Sequence, residues 1–146
     1  MKFPAIPVAK DRRIVQYDLA ASQTFKKGAA VLLNASEEVA ECAADPTVVL
    51  GFAAEPAGSD PESATKVLVC VAEANRRFWI EGDNAPTMDD VNQEYGIAKD
   101  SDGYWYLDGT ETTATVFYVH TVDMERNLYE VSVLTDVAQI SGAAAT

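Results

Sequence analysis

The sequence is poor in the residues on which metal and nucleophile chemistry rest, with one histidine and two cysteines in 146 residues. A structural zinc site needs four ligands at short paired spacings, and Cys42 and Cys70 stand 28 positions apart, so that chemistry is excluded. A Ser/His/Asp triad could be built only around His120, and nothing near it resembles a nucleophile elbow. No glycine-rich phosphate loop is present, and no pattern calls for a cofactor. No apolar run approaches the roughly 20 residues that span a bilayer. Pro4 and Pro7 interrupt any apolar stretch at the start, so a signal peptide is not expected. Basic residues are also scarce. Eleven Lys and Arg face 23 Asp and Glu, and a net charge of −12 works against nonspecific binding to nucleic acid or to an anionic membrane.

What is present favours strands. Six Tyr, five Phe and two Trp stand among many Val and Thr, and a hydrophobic share of 48% is that of an ordinary folded domain. A chain of this length forms one domain that buries roughly two thirds of its unfolded surface. The charge is uneven along it. Residues 1–27 carry six basic and two acidic side chains, a net of +4, while residues 28–146 carry five basic and 21 acidic, a net of −16. A basic segment on an acidic body is a pattern of interaction rather than of catalysis.

In chain order, residues 1–17 read as an extended N-terminal arm, held open by Pro4 and Pro7. Within it Arg13-Ile-Val-Gln-Tyr17 alternates as a strand does. Residues 18–140 read as a single β-rich domain, and residues 141–146 as a loosely anchored tail. The stretch from Gly28 to Glu55 holds three short apolar runs, separated by turn-forming clusters at Asn34-Ala-Ser36 and Ala44-Asp45-Pro46. Gly28, at a strand entrance, and Gly51, inside a strand, are placed where a sharply curved sheet excludes a Cβ. After a turn-rich linker at 56–63 come strands at Lys66–Ala72, nearly all apolar and so covered on both faces, and at Arg77–Glu81. Thr87 as N-cap, Asp89 and Asp90 in a first turn and Gly96 as terminator predict one short helix, Met88 to Tyr95. A hairpin follows at Lys99–Gly103, then Tyr104–Leu107, a turn at Asp108-Gly109, and two long β runs at Ala114–Val122 and Leu128–Leu134.

Two clusters have bland readings that outweigh sharper ones. Asp100-Ser-Asp102-Gly103 lacks both anchoring ligands of a calcium loop and reads as a β-turn. Alternation puts Trp105 on the opposite face from Tyr104 and Tyr106, so one strand cannot present all three rings as a platform. Cys42 and Cys70 lie in apolar runs and are expected to be reduced, buried thiols. Apolar and aromatic residues of the 104–122 and 128–134 runs are expected to exceed what one small core can hide, and so to face a neighbouring subunit.

Gly28-Ala-Ala-Val-Leu-Leu, a short Val39-Ala40 strand and Val48-Val-Leu-Gly-Phe-Ala-Ala54 together resemble the head decoration proteins of tailed bacteriophages, the lambda-type capsid cement family. In that pattern a Lys-Gly entrance, here Lys27-Gly28, begins one strand. A hydrophobic-Gly-hydrophobic-Ala run, here Leu50-Gly51-Phe52-Ala53, closes the rolled core. The resemblance covers residues 24–81. It implies an all-β fold, a β-tulip or small rolled β-barrel, with a non-enzymatic role on the outer surface of an expanded phage head. The implied partners are the major capsid protein and two further copies of the chain, as a homotrimer at local three-fold axes. The implied location is the virion, after synthesis in the host cytoplasm. On this reading Lys2, Lys10, Arg12 and Arg13 meet acidic capsid patches, and Ile14, Val15 and Tyr17 belong to a strand added to a capsid sheet edge. The alternative is a small β-sandwich or barrel binding module for a carbohydrate or host-surface ligand, which requires exposed aromatics on one face around Trp79 or Trp105.

Overall fold

A computed structural model describes residues 4–8, 13–58, 65–73 and 76–140. Eleven strands follow one another: β1 (Ile6–Pro7), β2 (Ile14–Asp18), β3 (Ala30–Leu33), β4 (Val39–Glu41), β5 (Gly51–Ala53), β6 (Lys66–Val71), β7 (Arg77–Glu81), β8 (Glu94–Lys99), β9 (Trp105–Asp108), β10 (Phe117–Asp123) and β11 (Leu128–Val133). They form a five-stranded sheet in the order β2-β6-β5-β3-β4 and a six-stranded sheet in the order β1-β7-β11-β10-β8-β9. All neighbouring strands pair antiparallel. The fold is all-β, a small barrel-like architecture. Among the described residues no helix is long and apolar enough to cross a membrane.

Both sheets roll back on themselves, the five-stranded one joining its end strands and the six-stranded one joining β9 to the residues that follow β7. In the five-stranded sheet Leu19 bridges Val39, with the Ala20 N–H donating to the Val39 carbonyl at 3.0 Å. In the six-stranded sheet Gly82 bridges Leu107, with the Asp83 N–H donating to the Leu107 carbonyl at 3.0 Å. Closure of this kind satisfies main-chain groups that an open edge leaves bare. Tight curvature also explains Gly51. A Cβ there would overlap the Cys70 carbonyl on β6, so no larger residue fits the observed backbone. Gly28 turns the chain into β3 at φ +86°, a left-handed conformation that glycine reaches without penalty.

The rolled sheets share one core. Phe52 of β5 meets Phe78 of β7 edge-on at 5.0 Å and stacks on Phe117 of β10 at 6.0 Å, so three fully buried rings join the sheets. β6 has the two-sided burial its apolar run implies, with Val67, Val69, Cys70 and Val71 all buried. Cys42 and Cys70 are both buried thiols rather than a disulfide. Trp105, Leu107, Phe117, Val119, Leu128, Tyr129, Val131 and Val133 are buried in the chain's own core. The apolar side chains expected to face another subunit are thus mostly spent on this second sheet.

The expected helix over Met88–Tyr95 is not formed. One 3-10 turn, Met88–Asp90, is all that exists there, and β8 begins at Glu94. The N-terminal signal is real: Asp90 accepts a hydrogen bond from the Thr87 N–H at 2.8 Å. Asn92 then enters the left-handed region at φ +68° and ends the turn. Tyr95 and Gly96 are strand residues paired with Phe117 and Asp108, and Gly96 terminates nothing. Gly96 is needed because a Cβ would strike the Glu111 side chain.

Candidate functional site

Of the residues proposed from sequence for attachment, Arg13, Ile14, Val15 and Tyr17 fall in or next to β2, at the rim of the five-stranded sheet. Lys2, Lys10 and Arg12 lie outside the described residues. The described part of 1–17 is integrated into the fold. Ala5 is buried, β1 pairs with β7 through Ile6–Trp79 and Pro7–Phe78, and β2 pairs with β6 from Ile14–Cys70 to Asp18–Lys66. Each strand ends its sheet, so this segment supplies one edge of both.

The edge at β2 is the more accessible. The Val71 N–H donates to the Arg13 carbonyl at 2.9 Å, and the Leu19 N–H donates to the Thr65 carbonyl at 2.6 Å. Odd-numbered residues of β2 therefore bond to β6, and the main-chain groups of Ile14 and Gln16 turn to the outer side. Gln16 is exposed, while Ile14 on the same face and Tyr17 on the opposite one both pack partly against the core, so burial on β2 does not alternate. Burial raises the Tyr17 hydroxyl above its ordinary value, an effect the nearby Arg13 cation opposes. Arg13 pairs with Glu73, and Asp18 with Lys66, so charged groups anchor both ends of the strand.

Parts of other edges are plugged, by devices that local sequence does not reveal. The Leu33 N–H donates to the Gln139 side-chain oxygen at 2.8 Å, and the Gln139 amide donates back to the Leu33 carbonyl at 3.0 Å. The Glu41 N–H on β4 donates to the side chain of Gln23 at 2.9 Å. Glu41 itself joins the sheets, accepting from Trp105 Nε1 at 2.8 Å and from Lys99 Nζ at 3.0 Å. At β1 the edge is two residues long and includes a proline, which has no N–H to offer. Gln16 and Ile14 thus mark a main-chain edge left without a partner among the described residues.

Candidate chemical centres take structural roles. His120 lies at the bulge of β10, its Nε2 2.8 Å from Ser132 Oγ and its ring edge-on to Tyr118 at 4.9 Å. Ser132 is only 6% exposed, and a hydroxyl closed off between strands is poorly placed to attack a substrate. The Asp100 carboxylate accepts the Asp102 and Tyr104 N–H groups at 2.9 Å each, and Gly103 has φ +90°, which is turn chemistry. The Tyr104 N–H in particular holds the Asp100 carboxyl below the ordinary range. Trp105 is buried while Tyr104 and Tyr106 are half-exposed, so no three-ring platform forms. Among the described residues no group of three or more His, Cys, Asp or Glu side chains could hold a metal ion. Comparison with protein-family models, with characterised proteins and with solved structures finds no match.

Proposed function

We propose that this chain is a structural virion protein, a head decoration protein that binds the outer surface of a phage capsid and cements the expanded shell. Its partners are the major capsid protein and its own copies, as a homotrimer at local three-fold axes, and its role is non-enzymatic. The observation that carries this reading is the open main-chain edge of β2 beside a basic N-terminal segment. Strand addition gives affinity through main-chain hydrogen bonds without requiring particular side chains, which suits a quasi-equivalent lattice. Ile14 presents that edge together with Gln16; Arg13, Val15 and Tyr17 hold the strand to β6; and Lys2, Lys10 and Arg12 bring positive charge to the same segment. The rolled core built by Gly28, Gly51 and Phe52 supports the same reading, since these are the residues through which the sequence resembles the decoration proteins. Three edges tied into one trimer raise avidity through effective concentration even where each is weak.

The test is binding to undecorated capsids by the full chain, by Gln16→Pro and by a deletion of residues 2–12, at two salt concentrations. Proline at position 16 removes an outward N–H, and the expected result is a folded protein with much weaker capsid binding. Unchanged affinity in both variants would overturn the proposal. Strong salt dependence lost on deletion would assign the attraction to Lys10 and Arg12; a weak one would assign it to the strand edge.

A further inference from the structure

Six of the eight described basic side chains pair with a carboxylate: Arg13, Lys66, Arg76, Arg77, Lys99 and Arg126. A seventh, Lys26, stands 4.5 Å over the Tyr104 ring. Lys27 alone among the described residues has neither kind of partner. It is exposed and borders a surface depression of about 420 Å³ between the N-terminal segment and strands β2, β5 and β6. Ala5, Pro7, Ile14, Ala54 and Leu68 line this depression with apolar surface. An apolar floor with one unpaired cation at its rim fits an apolar side chain that has a carboxylate next to it.

The chain's own neighbouring segments fit poorly. Residues 1–3 carry Lys2, and residues 9–12 carry Lys10 and Arg12 against Asp11, so each would bring positive charge toward Lys27. The complementary element is elsewhere on the same sequence. Among the described residues Met88 is the most exposed large apolar one, at 63%, and Asp89 beside it is exposed and has no partner. Around this tip, residues 82–98 hold Asp83, Asp89, Asp90 and Glu94 and not one Lys or Arg. Met124 is also exposed, at 56%, but Arg126 follows two positions later and its charge opposes Lys27. Methionine adapts to irregular apolar pockets, which suits it to such a contact.

We propose that the Met88–Asp89 tip of one copy docks in the depression beside Lys27 of a second copy, Met88 on the apolar floor and Asp89 on the Lys27 ammonium. Donor and acceptor are different surfaces, so the contact is heterologous: every copy gives one tip and receives one, and copies close into a ring or extend into a chain. The contact belongs to the purified chain in solution and does not depend on capsid attachment, so failure of either proposal leaves the other standing.

The test is sedimentation velocity over a wide concentration range on the full chain, with circular dichroism and thermal melting on every variant. The wild type is expected to self-associate, more weakly at high salt. Lys27→Glu and Asp89→Lys each place like charges together and are expected to weaken association by at least about tenfold, and the double variant to restore it. Met88→Ser is expected to weaken it and Met124→Ser to leave it unchanged. A wild type still monomeric at ~1 mM, the weak end of specific association, would overturn the proposal. So would a double variant that fails to recover, or an effect of Met124→Ser in place of Met88→Ser. Melting of Lys27→Glu well below the wild type with no change in mass would assign the depression to the chain's own residues, and the proposal would fall.

Discussion

Gln139 bonds to both main-chain groups of Leu33, across 106 positions of sequence, as a neighbouring strand would. The same segment bonds to Val49, whose N–H donates to Val137 and whose carbonyl accepts from Gln139. The chain leaving β11 on one sheet is thereby fastened to β3 and to the approach to β5 on the other. Replacing Gln139 with Ala removes two solvent-accessible hydrogen bonds and is expected to cost about 1 kcal/mol. Chemical denaturation should show a lower midpoint with an unchanged slope, since the unfolded state is unaltered.

Gly51→Ala should be among the most damaging small substitutions. Its added methyl meets the Cys70 carbonyl, a backbone atom held in the β5–β6 ladder, so relief requires the strands to part. The expected loss is about 3 kcal/mol, at the upper end for overpacking. Equilibrium unfolding, or a sharp fall in soluble yield, would show it.

Phe52→Ala tests whether the two rolled sheets unfold together. The ring touches Phe78 and Phe117 on the other sheet, and its removal leaves a cavity worth about 3–5 kcal/mol. A single, earlier transition is expected by both far-ultraviolet dichroism and tryptophan fluorescence. Two separated transitions would mean that the sheets are independent.

Alkaline pH should weaken the fold before acid chemistry explains anything. Burial, with a smaller contribution from Glu41, pushes the Cys42 thiol up to about 12. Tyr95 is also pushed up to about 12, first by burial and then by its hydrogen bond to Asp90, and Tyr129 is raised mainly by burial. For each group the unfolded state loses its proton first. The stabilisation is therefore complete below the unfolded values, about 8.5 for the thiol and about 10 for the phenols, and fades as pH rises toward 12. Denaturant midpoints should fall progressively above about pH 8.5, and Cys42→Ala should remove the earliest part of that fall. Without denaturant, neither cysteine should react promptly with a thiol reagent.

Much of the strand pattern is visible in one dimension because it depends on neighbours two positions apart. Phe78 and Ile80 declare a buried face by alternation, and the unbroken apolar run from Val67 to Ala72 declares a strand covered on both faces. The turns at Asn34 and Asp100 are equally legible, since their carbonyl or carboxylate oxygens bond N–H groups two and four residues on. Met88–Tyr95 misleads for a physical reason. Thr87 and Asp90 make a true first turn, and a helix start carries no information on how many turns follow. Asn92 at positive φ and the pairing of Tyr95 with Phe117 decide against continuation, and that pairing spans 22 positions.

Composition and alternation by themselves determined an all-β chain with buried thiols, glycines at points of close approach, and a basic start on an acidic body. Each of those follows from a residue's own chemistry or from its nearest neighbours. Tertiary structure alone decided which strands end the sheets, which edges Gln23 and Gln139 cover, and that the segment before Tyr17 supplies an edge to both sheets. It also decided that Lys27 stands beside an apolar depression with no carboxylate or ring partner among the described residues. Those outcomes depend on groups tens of residues apart meeting in space, where hydrogen-bond satisfaction and charge pairing are settled only once the sheets have rolled shut.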